Sequence, residues 1–423
     1  MTISGLWSRL FGWGEVYLKR RVLRIMLLGF FSGLPLALTA STLFTWLAEA
    51  GVDKTTIGLF AAIAIPYSLK FLWSPVMDGV AIPVLTRYMG RRRSWLLLLQ
   101  LLLTFSIAAF AFADPNVPAT FALMALGVAF FSASQDIVID AYRVESLPTQ
   151  EQGSAAAMYT FGYRIAMLIS GAGALWLSDQ VSWQSTYLAM AGLMAAGLLT
   201  TLLMPEPDIS AEIKPAHSVS QWIHQSVIAP FADFMNRKGW VAILVFVVLY
   251  KLADAFLGIM FNPFLLSLGF SKTQIAEIVK LYGLAATLVG GFIGGSLVVR
   301  WGMMRTLLST SVLHMLTNLL LVVQADLGAH EGFLTLCVVT ENMTAGMGSA
   351  AFIAYLSSLC RAQFTATQYA LLSSLASVAR TTLSTAAGKT AELLGWQGFF
   401  LFSSLLAIPS IVMIVILRRR LSN

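Results

Sequence analysis

Two aspartates four residues apart, Asp136 and Asp140, stand in the stretch FFSASQDIVIDAYRVESLP (130–148), which begins inside an apolar run and ends in a polar loop. A carboxylate at that depth in lipid costs at least ~2.5 kcal/mol, so it has to face a bundle interior or a wet cavity. Ala125, Ala129, Ser132, Ala133, Asp136 and Asp140 share one helical face, small and acidic, of the kind on which membrane helices pack closely. Gln135 sits beside it and Arg143 one turn beyond. Two further groups lie inside apolar runs: Lys251 with Asp254 in YKLADAF, and Glu341 with Asn342 in TENMTAGMGSAAF. Lys70, Arg164 and Arg380 add isolated cations, and Tyr67 an aromatic hydroxyl. Buried acids whose charge depends on nearby cations can exchange protons as their surroundings change. Cations held in a cavity fit a solute that carries carboxylates.

Nothing else in the chain offers covalent chemistry. HExxH, GxSxG and P-loop lysine motifs are absent. His217, His224, His314 and His330 are scattered. Cys337 and Cys360 stand at opposite ends of one expected helix, roughly 35 Å apart, beyond disulfide reach. No metal, no cofactor beyond a proton gradient, and no enzymatic activity are therefore expected.

The elements that position these groups are membrane spans. Of the 423 residues, 58% are hydrophobic and 11% charged, against about 25% charged in soluble domains. Apolar runs of span length recur twelve times, near 25–47, 55–77, 94–113, 118–145, 153–178, 184–204, 240–267, 273–299, 306–326, 332–359, 365–391 and 396–417. The expected fold is an all-α polytopic membrane protein. Its lysines and arginines gather in the tails and the even-numbered loops, whereas the odd-numbered loops hold only Lys54, Lys272 and Lys389. By the positive-inside rule both termini are cytoplasmic. The net charge of +7 then reads as topology, with no nucleic-acid partner implied.

The chain divides into an interfacial segment (1–24, with Trp7, Leu10, Phe11 and Trp13), six spans (25–204), a connector (205–239), six spans (240–417) and a tail (418–423). Within the connector, Ile223, Val227, Phe231 and Met235 recur every four residues, as in a helix lying on the membrane surface. The halves repeat. GVDKTTIG (51–58) and GFSKTQIA (269–276) match at an offset of 218, and Arg164 and Arg380 at nearly the same offset. Parallel six-span repeats are the plan of a major-facilitator-type secondary transporter, a fold of twelve helices in two halves. Spans one, four, seven and ten then line the cavity, and the acids fall on three of them.

Roles follow. Asp136, Glu341 and Asp254 are the candidates for proton coupling. Gln135, Lys70, Arg164, Lys251, Arg380, Asn342 and Tyr67 are candidates for substrate binding. Asp78, Arg91, Arg92, Arg93, Asp140, Arg143 and Arg300 are candidates for a gate at the cytoplasmic surface, made of exposed pairs each worth ~0.2–1 kcal/mol. Lys251 and Asp254, three apart, could instead merely neutralise one another.

The stretches LLGFFSGLPLALTASTLFTWLAEAGVDKTTIGLF, YSLKFLWSPVMD, GRRRSWLL, FFSASQDIVIDAYR, GYRIAMLISG, VLYKLADAF, ENMTAGMGSAAFIAYLSSLC and FTATQYALLSSL resemble the AmpG muropeptide permease family. That resemblance implies proton-driven import of anhydro-muropeptides, GlcNAc–1,6-anhydroMurNAc with or without peptide, from periplasm to cytoplasm. It implies a place in peptidoglycan recycling and β-lactamase induction, the bacterial inner membrane, and an essential Asp136. A monomer in contact with lipid is expected. The residues by themselves leave two rivals: a carrier of another organic anion such as acetyl-CoA, and a non-transporting membrane sensor.

Overall fold

A computed structural model describes residues 14–208 and 218–421. The aromatic residues of the expected interfacial segment, Trp7 to Trp13, and most of the proline-rich part of the connector lie outside the described residues. The rest is helical, with no strand among the described residues. We number the long helices α1 (Arg20–Glu49), α2 (Lys54–Leu72, continued by Ser74–Gly79), α3 (Arg91–Phe110), α4 (Pro118–Ser146), α5 (152–180), α6 (Trp183–Leu203), α7 (Trp240–Ser267), α8 (Lys272–Trp301), α9 (Met303–Leu327), α10 (Glu331–Ser358), α11 (365–394) and α12 (396–421).

Nine helical runs among the described residues are long and apolar enough to cross a membrane. Two more helices, α5 and α10, have the length but carry Arg164 and the Glu341–Asn342 pair at mid-span. The last apolar run, Ala362–Arg419, turns at Gly395, whose φ of 65° admits a reversal that other residues resist, and so supplies both α11 and α12. Twelve helices of span length result among the described residues, as the apolar runs predict.

Two helices are broken where polar groups sit. In α1 the backbone leaves helical geometry at Ala40 (φ −128°, ψ −104°), just after Pro35. Proline removes one intrahelical hydrogen bond, which weakens the turn around it. In α7 the break falls on Lys251 itself, between Trp240–Tyr250 and Leu252–Ser267.

Lipid supplies little drive for helix association, so close packing of small residues does much of it. A Cβ on Gly162 of α5 would come within 2.0 Å of the Met26 carbonyl oxygen on α1, and one on Gly29 within 2.2 Å of the Tyr159 carbonyl oxygen. In the other half Gly290 and Gly294 of α8 meet the Met343 and Met347 carbonyls of α10 in the same way. Gly162→Ala is therefore expected to force α1 from α5 and to cost about 1–3 kcal/mol. The check is a melting curve in detergent, with Gly192→Ala, which meets nothing within 4 Å, as the matched control.

The connector is helical over 219–235, with one π turn at His224–Ile228. It turns Ser226, Pro230 and Phe234 toward the protein and leaves Ile223 and Met235 exposed. Of the apolar stripe read from the sequence, Ile223 and Met235 face away from the bundle, whereas Val227 and Phe231 are half-buried.

Candidate functional site

Asp136 lies on the inner face of α4 and is 8% exposed. Ser32 of α1 donates its hydroxyl to Asp136 Oδ1 at 2.5 Å, and the Tyr159 hydroxyl of α5 stands 2.6 Å from Ser32 Oγ. Ser32 carried no signal in the sequence, because it matters only through partners on other helices. The Tyr67 hydroxyl is buried without a hydrogen-bond partner among the described residues. One turn along, Asp140 lies between two cations, with Lys70 Nζ at 3.5 Å and Arg143 Nη2 at 3.4 Å. The amino-terminal half thus holds two carboxylates and two cations within a few turns of α1, α2 and α4.

A second cluster fills the carboxy-terminal half. Lys251 Nζ is 3.2 Å from Asp254 Oδ2, the pair that sequence spacing predicts. Asp254 Oδ1 is also 3.0 Å from His314 Nε2 on α9, and His314 Nδ1 is 3.3 Å from Thr344 Oγ1 on α10. Glu341, one turn before Thr344, has no side-chain hydrogen bond or ion pair among the described residues, and it acts electrostatically on His314. In the sequence His314 is one of four scattered histidines. Its signal was a lone histidine inside the apolar run SVLHMLTNLL.

Several expected binders are engaged elsewhere. Gln135 is fully buried and donates its amide to the Phe31 carbonyl at 2.9 Å, tying α4 to α1. Asn342 accepts from Thr287 Oγ1 at 3.1 Å and donates to the Val338 carbonyl, so it packs α10 against α8. Lys70 is buried in its pair with Asp140. Arg164 and Arg380, by contrast, are exposed at mid-span on α5 and α11, with no ion pair or side-chain hydrogen bond among the described residues. Unpaired arginines at that depth have to face a wet cavity rather than lipid.

The halves meet at the end that carries the connector. Asp78, at the foot of α2, accepts the backbone N–H groups of Ala366 and Thr367 at 3.3 and 2.8 Å and the Thr367 hydroxyl at 2.8 Å. These are free donors of the first turn of α11, where a carboxylate is electrostatically favoured. Arg143 reaches from α4 to Ser357 Oγ of α10 at 2.9 Å and stacks over the Tyr369 ring. Tyr17, just before α1, donates to the Phe292 carbonyl of α8 at 2.5 Å. At the opposite end, no side-chain hydrogen bond or ion pair joins the halves among the described residues.

The expected gate of exposed pairs needs correction. Arg92 is fully buried, paired with both oxygens of Glu145 at 3.1 Å or less and with Asp78 Oδ1 at 2.7 Å. Arg91 is buried too, donating to the Asp78 carbonyl. These charges therefore stabilise as a desolvated network, not as screened surface pairs. Arg93 binds the Thr201 and Leu202 carbonyls at the end of α6, within one half. Arg300 is exposed and makes no ion pair among the described residues. Of the residues expected in the gate, Asp78 and Arg143 are the two with side-chain hydrogen bonds to the other half among the described residues, beside those of Tyr17 and Ser154.

No group of three or more metal-ligating side chains occurs among the described residues. Comparison with known proteins gives a match to the Major Facilitator Superfamily over residues 25–382. The chain is similar to a putative transporter AmpG 4 of Rickettsia conorii, 38% identical over 96% of this chain and 99% of that one. It is similar to the anhydromuropeptide permease of Escherichia coli K12, 40% identical over 96% of this chain and 82% of that one. Among solved structures it resembles the E. coli fucose:proton symporter (TM-score 0.71, 13% identity, 95% and 98% of the two chains). It also resembles the human organic anion transporter MFSD10 (TM-score 0.66, 16% identity, 93% and 99%).

Proposed function

We propose, for a chain that belongs to the Major Facilitator Superfamily and within it to the AmpG permeases, that it carries anhydro-muropeptides into the bacterial cytoplasm with protons as the driving ion. The chain is a transporter and not an enzyme. Its substrate class follows from the 40% identical relative named as an anhydromuropeptide permease. The observation that carries the reading is the pair of unmatched mid-span arginines, Arg164 and Arg380, placed at matching positions in the two halves. They suit the carboxylates of a sugar-peptide, as a fully paired interior would not.

The connector and both tails are taken as cytoplasmic on their basic residues. The contacts of Asp78, Arg143 and Tyr17 then close the cytoplasmic end, and the structure corresponds to an outward-facing carrier. The protein works as a monomer in the inner membrane. Six spans on either side of the connector form the halves that rock about the site.

Exchange in proteoliposomes tests this reading. Vesicles loaded with GlcNAc–1,6-anhydroMurNAc are expected to take up labelled GlcNAc–1,6-anhydroMurNAc, and external acetyl-CoA to leave that uptake unchanged. Inhibition by acetyl-CoA with no effect of unlabelled disaccharide would favour the broader organic-anion carrier. No exchange of either would leave the sensor.

A further inference from the structure

The His314 ring faces an acceptor at each nitrogen. Thr344 Oγ1, 3.3 Å from Nδ1, already donates its proton to the Glu341 carbonyl at 2.8 Å. Thr317 Oγ1, which touches the same hydroxyl, donates to the His314 carbonyl. With both hydroxyl protons placed in this way, Nδ1 is the donor to Thr344 Oγ1. On the other side, Nε2 lies 3.0 Å from an Asp254 carboxylate oxygen, at an angle too bent for an aligned hydrogen bond among the described residues. A neutral ring with its proton on Nδ1 would turn a lone pair toward Asp254; the doubly protonated ring turns an N–H.

The surroundings allow that change. His314 is 8% exposed and borders a cavity of about 30 Å³, lined by Lys251, Asp254, Thr310, Thr344 and Ser410 among others. That is room for a water to bring a proton. The charged groups acting on the ring are Asp254 and Lys251 from α7 and Glu341 from α10, while α12 contributes only the uncharged Ala407 and Ser410. Asp254 is shared: one oxygen faces His314 and the other Lys251. Lys251 sits at the break in α7, its ammonium 5.4 Å from the Tyr250 ring and 5.3 Å from the Phe352 ring.

We propose that His314 carries a proton in the carboxy-terminal half, and that its protonation releases Lys251 from Asp254 to bind an anionic group of the substrate. With the ring neutral, Lys251 is the sole counter-ion of Asp254. With the ring protonated, His314 takes that place, and the lysine ammonium is free for a carboxylate entering the cavity. The proton enters from the open end, adds to Nε2, and leaves on the other side once the substrate has gone. Proton and anion thereby favour each other's binding, which is what symport requires. The proposal rests on the transport reading above and adds to it a residue and an order of events.

The test is the pH dependence of binding of GlcNAc–1,6-anhydroMurNAc to the detergent-solubilised full chain. Calorimetry in two buffers of different ionisation heat reports the protons taken up. For the wild type, affinity is expected to rise as pH falls, with tenfold per pH unit as the limit of the share that one proton on His314 contributes. His314→Gln is expected to bind weakly and to lose the His314 share of that slope, taking up one proton fewer than the wild type and leaving what Asp136 contributes. A Gln variant that keeps the wild-type slope overturns the inference alone. So does a wild type that transports the disaccharide but takes up no proton on binding it, a result that needs no variant to fold. A wild type that neither binds nor transports the disaccharide at any pH overturns the transport reading itself.

Discussion

Asp136→Asn is expected to abolish uphill uptake, down to the level of empty vesicles, while exchange of substrate across the membrane continues. The carboxylate is buried on the inner face of α4 and held by a single short hydrogen bond from Ser32. Asparagine keeps the oxygen that accepts from Ser32, so stability should change by less than about 1 kcal/mol. What it loses is the charge, and with it the ability to take up and release a proton. Lys70, paired with Asp140 at 3.5 Å, stays neutralised in either case. Uptake under an imposed proton gradient, exchange without one, and a melting curve on the same sample separate the possibilities. Joint loss of uptake and exchange would make Asp136 a binding residue. A large fall in melting temperature would make it structural. Uptake at the wild-type rate would remove it from the mechanism and pass the role to Glu341 and Asp254.

The second large effect is expected at Asp78. It joins the halves through three hydrogen bonds to the start of α11 while Arg92 holds its other side. Hydrogen bonds to a charged group are each worth ~1.5–3 kcal/mol. Asp78→Ala should therefore shift the equilibrium toward an open connector end by at least about tenfold. Ser154 is fully buried in the seal between α5 and α8, where its hydroxyl reaches the Gly295 carbonyl. In a background with Cys337 and Cys360 replaced, Ser154→Cys should be labelled at least about tenfold faster when Asp78 is alanine. An unchanged rate would mean that Asp78 does not hold the halves together. Arg92→Ala should behave differently. It strands the buried carboxylates of Glu145 and Asp78, a loss of ~3–5 kcal/mol that should appear first as poor stability.

The contrast between these residues shows what the amino-acid sequence reveals and what it conceals. Span number, the repeat of the halves and the acids within spans are carried by hydropathy and by the cost of charge in lipid, both local properties. All of these are legible. Pairings within one helix are legible too, as Lys251–Asp254 and Asp140–Arg143 demonstrate. Pairings between helices are not, since they depend on which faces meet. Gln135 and Asn342 look like free amides in the sequence, yet neighbouring helices claim both. Arg91 and Arg92 look like surface charges beside a loop. Their burial depends on Glu145, far along the chain at the end of α4. His314 is the same case reversed: unremarkable alone, and charged with meaning only beside Asp254 and Thr344.

The central claim, that substrate movement through this chain moves protons by way of Asp136, has a direct test in vesicles with a pH-sensitive dye inside. Addition of GlcNAc–1,6-anhydroMurNAc outside should acidify the lumen of vesicles containing the wild-type protein, and a protonophore should erase the signal. Vesicles with Asp136→Asn should exchange the disaccharide without acidification. Transport by the wild type with no change in lumenal pH, or acidification that persists in the asparagine variant, would contradict the account.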